Sequence, residues 1–172
     1  SLHPEKVFSS KENEAKTPIS SIYHTFSGNH FITTLPNGTL NLYQTSRPKL
    51  AKTTYSKKYG CTSATFTGRG SDGSTPQSCI VASSIPNSTS DMKSNHAIRL
   101  LDLNTNSFSK YFNGHIDQVI SLWGAPWMSE GFCSSSIDGT IKIWDQRSNS
   151  EISSLNLNCK SEIVIGCDPS GQ

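Results

Sequence analysis

Two stretches of the chain align without a gap at an offset of 101 residues: His30 to Tyr43 and Gly131 to Trp144. A looser third copy begins at Ile80 to Ser84, is interrupted by an insertion, and resumes at Asn95 to Asp102. Its Asn95 and Leu101 each precede Asp138 and Trp144 by 43 residues. Repetition of this kind constrains the fold more than any other feature, because one such unit can bury its apolar face only against its neighbours. Each copy reads strand, turn, strand. Asn37-Gly38 and Asp138-Gly139 predict two-residue hairpin turns, in which both central residues need positive φ. The alternation across Thr140-Ile141-Lys142-Ile143-Trp144 predicts a strand with one buried and one wetter face.

A further short apolar run lies upstream of each hairpin, at Ile19 to Phe26, Cys61 to Phe66 and Val119 to Trp123. Another lies downstream, at Lys49 to Tyr55, Phe108 to Phe112 and Ile152 to Leu157. Three units of about four strands follow, and Glu162 to Gly171 reads as the opening strand of a fourth. Composition agrees. Hydrophobic residues are 33% and charged residues only 16%, with about 30 serines, which excludes a long helical bundle or coiled coil. The expected fold is all-β.

Several functional classes drop out. A net charge of +2 is too small to imply direct nucleic-acid binding through charge alone. No run of apolar residues is long enough to predict a membrane-spanning helix. The five cysteines, at 61, 79, 133, 159 and 167, contain no CxxC pair, so neither a disulfide framework nor a zinc site is expected. Ser1 to Lys16 has no apolar core and does not read as a signal peptide. Asn37-Gly38-Thr39 and Asn87-Ser88-Thr89 therefore read as chance matches to the glycosylation pattern in turns, and a reducing compartment is the default. No phosphate-binding loop or metal-ligand spacing occurs, and no cofactor or small-molecule substrate is expected.

The third unit carries Gly114-His115, then Ser134, Asp138 and Trp144-Asp145. This pattern resembles the WD40 repeat, whose units are four-stranded blades of a β-propeller. The resemblance implies that Trp144, Ser134, His115 and Asp138 form a chain of hydrogen bonds, each donor meeting the next group's acceptor. The other units depart from it, with Thr33, Asn37 and Tyr43 in the first, and Ser83 or Ser84, Asn95 and Leu101 in the second. His, Ser and Asp could also suggest nucleophilic catalysis. Because all three belong to the repeat itself, the expected role is structural and no catalytic residue is assigned.

A closer resemblance rests on Thr54-Tyr55-Ser56-Lys57-Lys58-Tyr59-Gly60-Cys61-Thr62-Ser63, followed by Ile98 to Leu103, Lys110 to His115 and Cys167 to Gly171. These resemble the WD-repeat subunits shared by COMPASS (Set1-type) histone methyltransferases and the cleavage and polyadenylation machinery. The resemblance implies a non-catalytic nuclear scaffold that supports methylation of histone H3 on lysine 4. It also implies a link, through a phosphatase 1 scaffold, to transcription termination and mRNA 3′-end processing. The departures are the segment 68–74, the insertion Pro86 to Lys93, and Asn113 where the family usually has proline. The family's propeller has seven blades; this length fits three and the first strand of a fourth.

The expected organisation is an N-terminal segment over 1–18, blade one over 19–57, blade two with inserted loops over 58–112, blade three over 113–159 and the start of blade four over 160–172. Three blades cannot close a ring, so the chain is expected to be a piece of a longer one, with a four-blade ring completed in trans as the alternative. Val7-Phe8 is the candidate outer strand of the last blade. The D-to-A and B-to-C loops of a propeller share one face, which places Lys57, Lys58 and Tyr59 on the expected partner-binding rim. A different function class is a substrate receptor of a cullin-RING ubiquitin ligase, because Trp144, Asp145 and Arg147 match the WDxR pattern; a generic adaptor is the remaining reading.

Overall fold

The computed structural model describes residues 18–47, 49–67, 75–83, 96–148, 150–166 and 168. The expectations for Val7-Phe8, for 68–74, for Pro86 to Lys93 and for Ser84 and Asn95 lie outside these residues. The described residues contain twelve strands and no helix. They form three four-stranded sheets, each a simple up-and-down meander. Blade one is β1 (Ser21–His24), β2 (His30–Thr34), β3 (Thr39–Gln44) and β4 (Lys49–Tyr55). Blade two is β5 (Ser63–Thr65), β6 (Ser78–Ala82), β7 (Ile98–Asp102) and β8 (Ser107–Phe112). Blade three is β9 (Val119–Gly124), β10 (Gly131–Ser136), β11 (Thr140–Asp145) and β12 (Glu151–Asn156).

Burial explains the sequence texture. Blade two is covered on both faces, so β6 and β7 are near-continuous apolar runs. Cys79, Val81 and Leu101 pack with Ile32, Leu40 and Leu42 of blade one. Ile80, Ile98, Leu100 and Phe112 pack with Val119, Leu122, Phe132 and Trp144 of blade three. Each fully buried side chain of this kind contributes roughly 1.5–3 kcal/mol. The outermost strand β12 is exposed along its whole length.

The third and fourth strands of every blade share one irregularity. The ladder slips between Leu42 and Tyr43, between Leu100 and Leu101, and between Ile143 and Trp144. These are equivalent repeat positions.

The hairpins form where expected, with a different turn. Gly38 and Gly139 have φ of +79° and +82°, whereas Asn37 and Asp138 are not among the positive-φ residues. The Gly38 amide donates to the Leu35 carbonyl and the Leu35 amide to the Thr39 carbonyl, a type I turn closed by a left-handed glycine. Pro36 favours this turn by fixing its own φ. The Asn37 side chain also accepts from the Thr39 amide at 3.0 Å, as Asp138 does from Thr140 at 2.9 Å, a local bond that Asn and Asp make readily.

Hydroxyl groups tie neighbouring blades together near their inner strands. The Thr34 hydroxyl donates to the Thr62 carbonyl, and the Thr62 hydroxyl to the Val119 carbonyl. The Gly124 amide donates to Tyr23 Oη and Thr65 Oγ1, each at 3.1 Å. Tyr23 meets Trp123 edge-on at 5.1 Å, so blade one touches blade three across the inner edge of blade two. Residues 160–166 lie beside β9 and β10, where the next inner strand would run. The Ser135 hydroxyl donates to the Ile163 carbonyl and the Ile165 amide to Ser121 Oγ. No ladder forms there among the described residues.

Candidate functional site

Blade three builds a buried polar chain between the loop before β9 and the β10–β11 hairpin. Trp144 Nε1 donates to Ser134 Oγ at 2.8 Å, and Ser134 Oγ lies 2.7 Å from His115 Nε2. His115 Nδ1 lies 2.9 Å from Asp138 Oδ2. The same carboxylate accepts from the Ile116 amide at 3.0 Å and from the Thr140 hydroxyl at 2.6 Å. Trp144 is fully buried, stacked on Phe132 at 6.0 Å and edge-on to Phe112. A Cβ on Gly114 would fall 2.8 Å from the indole, so the residue before His115 has to lack a side chain.

Burial pushes the His115 imidazole below its ordinary value, against the pull of Asp138. A neutral ring then donates through Nδ1 and accepts through Nε2, which lets every group in the chain bond its neighbour. Burial works against ionisation of Asp138, yet the Thr140 hydroxyl, the Ile116 amide and His115 outweigh it and hold the carboxyl at about 2. Ser, His and Asp here have the connectivity of a catalytic triad. The Ser134 oxygen is 0% exposed and accepts the indole N–H, so no substrate carbonyl can reach it. The arrangement clamps a loop to a hairpin.

A pH dependence follows. The unfolded chain protonates His115 near 6.5 and Asp138 near 3.8, both above the folded values. Unfolding is therefore favoured in two steps on acidification, first below about pH 6.5 and then as pH falls from 3.8 to about 2. The Asp138 step amounts to roughly 2 kcal/mol. Thermal melts across this range should show both, and Asp138→Asn should flatten the second; an unchanged profile for that variant removes the assignment.

Lys57 and Lys58 are exposed on the loop from β4 to β5, beside the β2–β3 turn, where the Ser56 amide donates to the Gly38 carbonyl at 2.7 Å. Tyr59 is half-buried. Its ring packs edge-on to Phe108 at 5.4 Å and lies under the Arg99 guanidinium at 3.6 Å. Lys58, hydrogen-bonded to the phenol, lowers its pKa in spite of partial burial, with Tyr111 and Arg99 adding to the effect. The exposed aromatic rings here are Tyr55 and Tyr111, and these, with Arg99, were not singled out by motif reasoning. The signal available was a cation at Arg99 inside an otherwise apolar run, at the repeat position that holds Asn41 in blade one and Lys142 in blade three.

Asp145 and Arg147 lie at the far end of β11. Arg147 Nη2 donates to Asp145 Oδ2 at 3.0 Å, and Nε to Oδ1 at 3.2 Å. Trp144 is interior, so the residues of the WDxR pattern do not share one surface.

No protein-family model matches the chain. It is 33% identical over 96% of its length to "COMPASS component SWD2" of Saccharomyces cerevisiae, covering 45% of that protein. It is 33% identical over 89% of its length to "Set1 complex component swd2" of Schizosaccharomyces pombe, covering 38%. With "WD repeat-containing protein 82" of Drosophila melanogaster the identity is 30% over 96% of the chain and 46% of the relative. The chain thus spans less than half the length of these curated relatives.

Proposed function

Since the chain belongs to the WD-repeat family, we propose that it serves as a non-catalytic scaffold subunit of a Set1-type histone methyltransferase complex in the nucleus. The observation that carries this reading is the similarity, along nearly the whole chain, to a protein named as a COMPASS component. The fold supports it physically: three sheets packed face to face form a rigid platform with a rim of loops. Chemistry would come from the partners, with the platform supporting methylation of histone H3 on lysine 4. The finer reading adds association with a phosphatase 1 scaffold and the cleavage and polyadenylation machinery, hence a part in transcription termination and mRNA 3′-end processing. Lys57, Lys58 and Tyr59 are the proposed docking rim for these protein subunits, with Tyr59 acting from within.

Affinity purification of the tagged full-length protein from nuclear extract, followed by mass spectrometry, tests both readings. Methyltransferase subunits are expected in the eluate, and depletion of the protein is expected to lower histone H3 lysine 4 methylation. Cleavage and phosphatase-scaffold subunits are expected alongside. Recovery of a cullin adaptor with no methyltransferase subunit would overturn the proposal.

A further inference from the structure

Between Glu14 and Asp72 the sequence contains no Asp or Glu and seven Lys or Arg. Downstream of Asn113 the balance reverses, with seven Asp or Glu against three Lys or Arg. Blade one and its seam with blade two are therefore basic, and blade three is acidic, although the chain as a whole is close to neutral.

The seam concentrates this charge among tyrosines. Lys57 Nζ lies 5.4 Å from the Tyr55 ring centre, and Lys58 Nζ 5.0 Å from that of Tyr59. Arg99 lies over Tyr59 and sits 5.5 Å from the Tyr111 ring. Arg99 is 2% exposed, and its guanidinium donates to the Ala97 carbonyl at 2.9 Å and to the Ser83 hydroxyl. It lies against Tyr59 in the seam and adds charge beside the two ammonium groups. Tyr55 and Tyr111, 45% and 43% exposed, flank them.

We propose that this cation–tyrosine patch, formed by Lys57, Lys58, Tyr55, Tyr111 and the underlying Tyr59 and Arg99, docks an acidic peptide segment of a partner protein. Carboxylates meet the two lysines, and apolar side chains between them lie along the edges of Tyr55 and Tyr111. Exposed tyrosines beside cations supply contact area at low entropic cost, while charge complementarity sets orientation and on-rate. A single-stranded nucleic acid fits less well. Base stacking needs free ring faces, and here cations occupy them. Phosphate binding also draws its affinity from a long basic track, whereas the charge of this patch comes from Lys57, Lys58 and the buried Arg99.

The inference rests on reading the protein as a docking platform, but its test needs no complex. The probe is a fluorescein-labelled peptide alternating glutamate with leucine, measured by anisotropy against the full chain. Competitors are the same peptide with glutamine for glutamate, and an oligouridylate. Lys57→Glu/Lys58→Glu is expected to weaken peptide binding about tenfold, and Tyr111→Ala about threefold. Binding is expected to fall as salt rises. Because all three substituted side chains are exposed, folding should survive, and circular dichroism checks this. Equal binding of the glutamine peptide overturns the proposal, as does stronger competition by oligouridylate. So does a double variant that binds like the parent, or one whose only change is loss of self-association in sedimentation. If the peptide binds as expected while purification recovers no methyltransferase subunit, the patch stands and the complex assignment alone fails.

Discussion

Trp144→Ala is expected to lower stability by about 4 kcal/mol, the cost of emptying a buried aromatic site plus the polar partners it leaves. The indole is fully buried, stacked on Phe132 and edge-on to Phe112. Its removal opens the interface between blades two and three and leaves Ser134 Oγ without its donor. Trp144→Phe separates the two contributions. The ring largely survives in that variant, and the loss should be about 1–2 kcal/mol, that of one buried hydrogen bond. A double-mutant cycle with Ser134→Ala should then show coupling, because the two groups act on one bond. Urea unfolding followed by circular dichroism reads all of these. A Trp144→Ala loss below about 1 kcal/mol would mean that the polar chain and its aromatic cover do not hold blade three together.

Gly139→Ala is the second large effect, about 3 kcal/mol, from positive φ and a backbone collision together. Its φ is +82°, and an added Cβ would stand 2.1 Å from the Cys159 carbonyl oxygen. That carbonyl belongs to the loop leaving β12, which returns to the turn through the Leu157 amide bonding to the Gly139 carbonyl at 2.9 Å. Two other glycines calibrate the effect. Gly38 has φ +79° and a Cβ position 2.8 Å from the Ser56 carbonyl oxygen, a gentler encounter. Gly28 has φ +70° with nothing within 4 Å, so Gly28→Ala should cost only the conformational strain, about 1 kcal/mol. The expected order of thermal midpoints is Gly28→Ala above Gly38→Ala above Gly139→Ala. Equal losses at all three would show that the loop approach contributes nothing.

Much of this architecture was legible in the repeats. Strand positions follow from short apolar runs around hairpins, and the offset of 101 equates Phe31 and Tyr43 with Phe132 and Trp144. Both pairs stack in the structure, with interplanar angles of 12° and 13°. The turn type was misread because Asn-Gly and Asp-Gly favour two different hairpin geometries, and Pro36 together with the side-chain bonds of Asn37 and Asp138 selects the longer one. Contacts between units were not legible at all. Tyr23 Oη reaching the Gly124 amide joins residues from different blades, and Arg99 rests on Tyr59 of the loop between blades one and two. Packing angles between sheets decide such meetings, and no periodicity within a strand reports on them.

The ladder slip shared by all three blades has a consequence for how such chains drift over evolutionary time. An extra residue in one edge ladder pivots the outer strand and steepens the coil of its sheet. That pivot occurs alike before Tyr43, Leu101 and Trp144, three side chains with little in common. Main-chain geometry, more than the indole, therefore carries the shape of each wedge. A copy can shed its signature residues one after another and still seat against its neighbours, until a recognition pattern built on those residues no longer finds it.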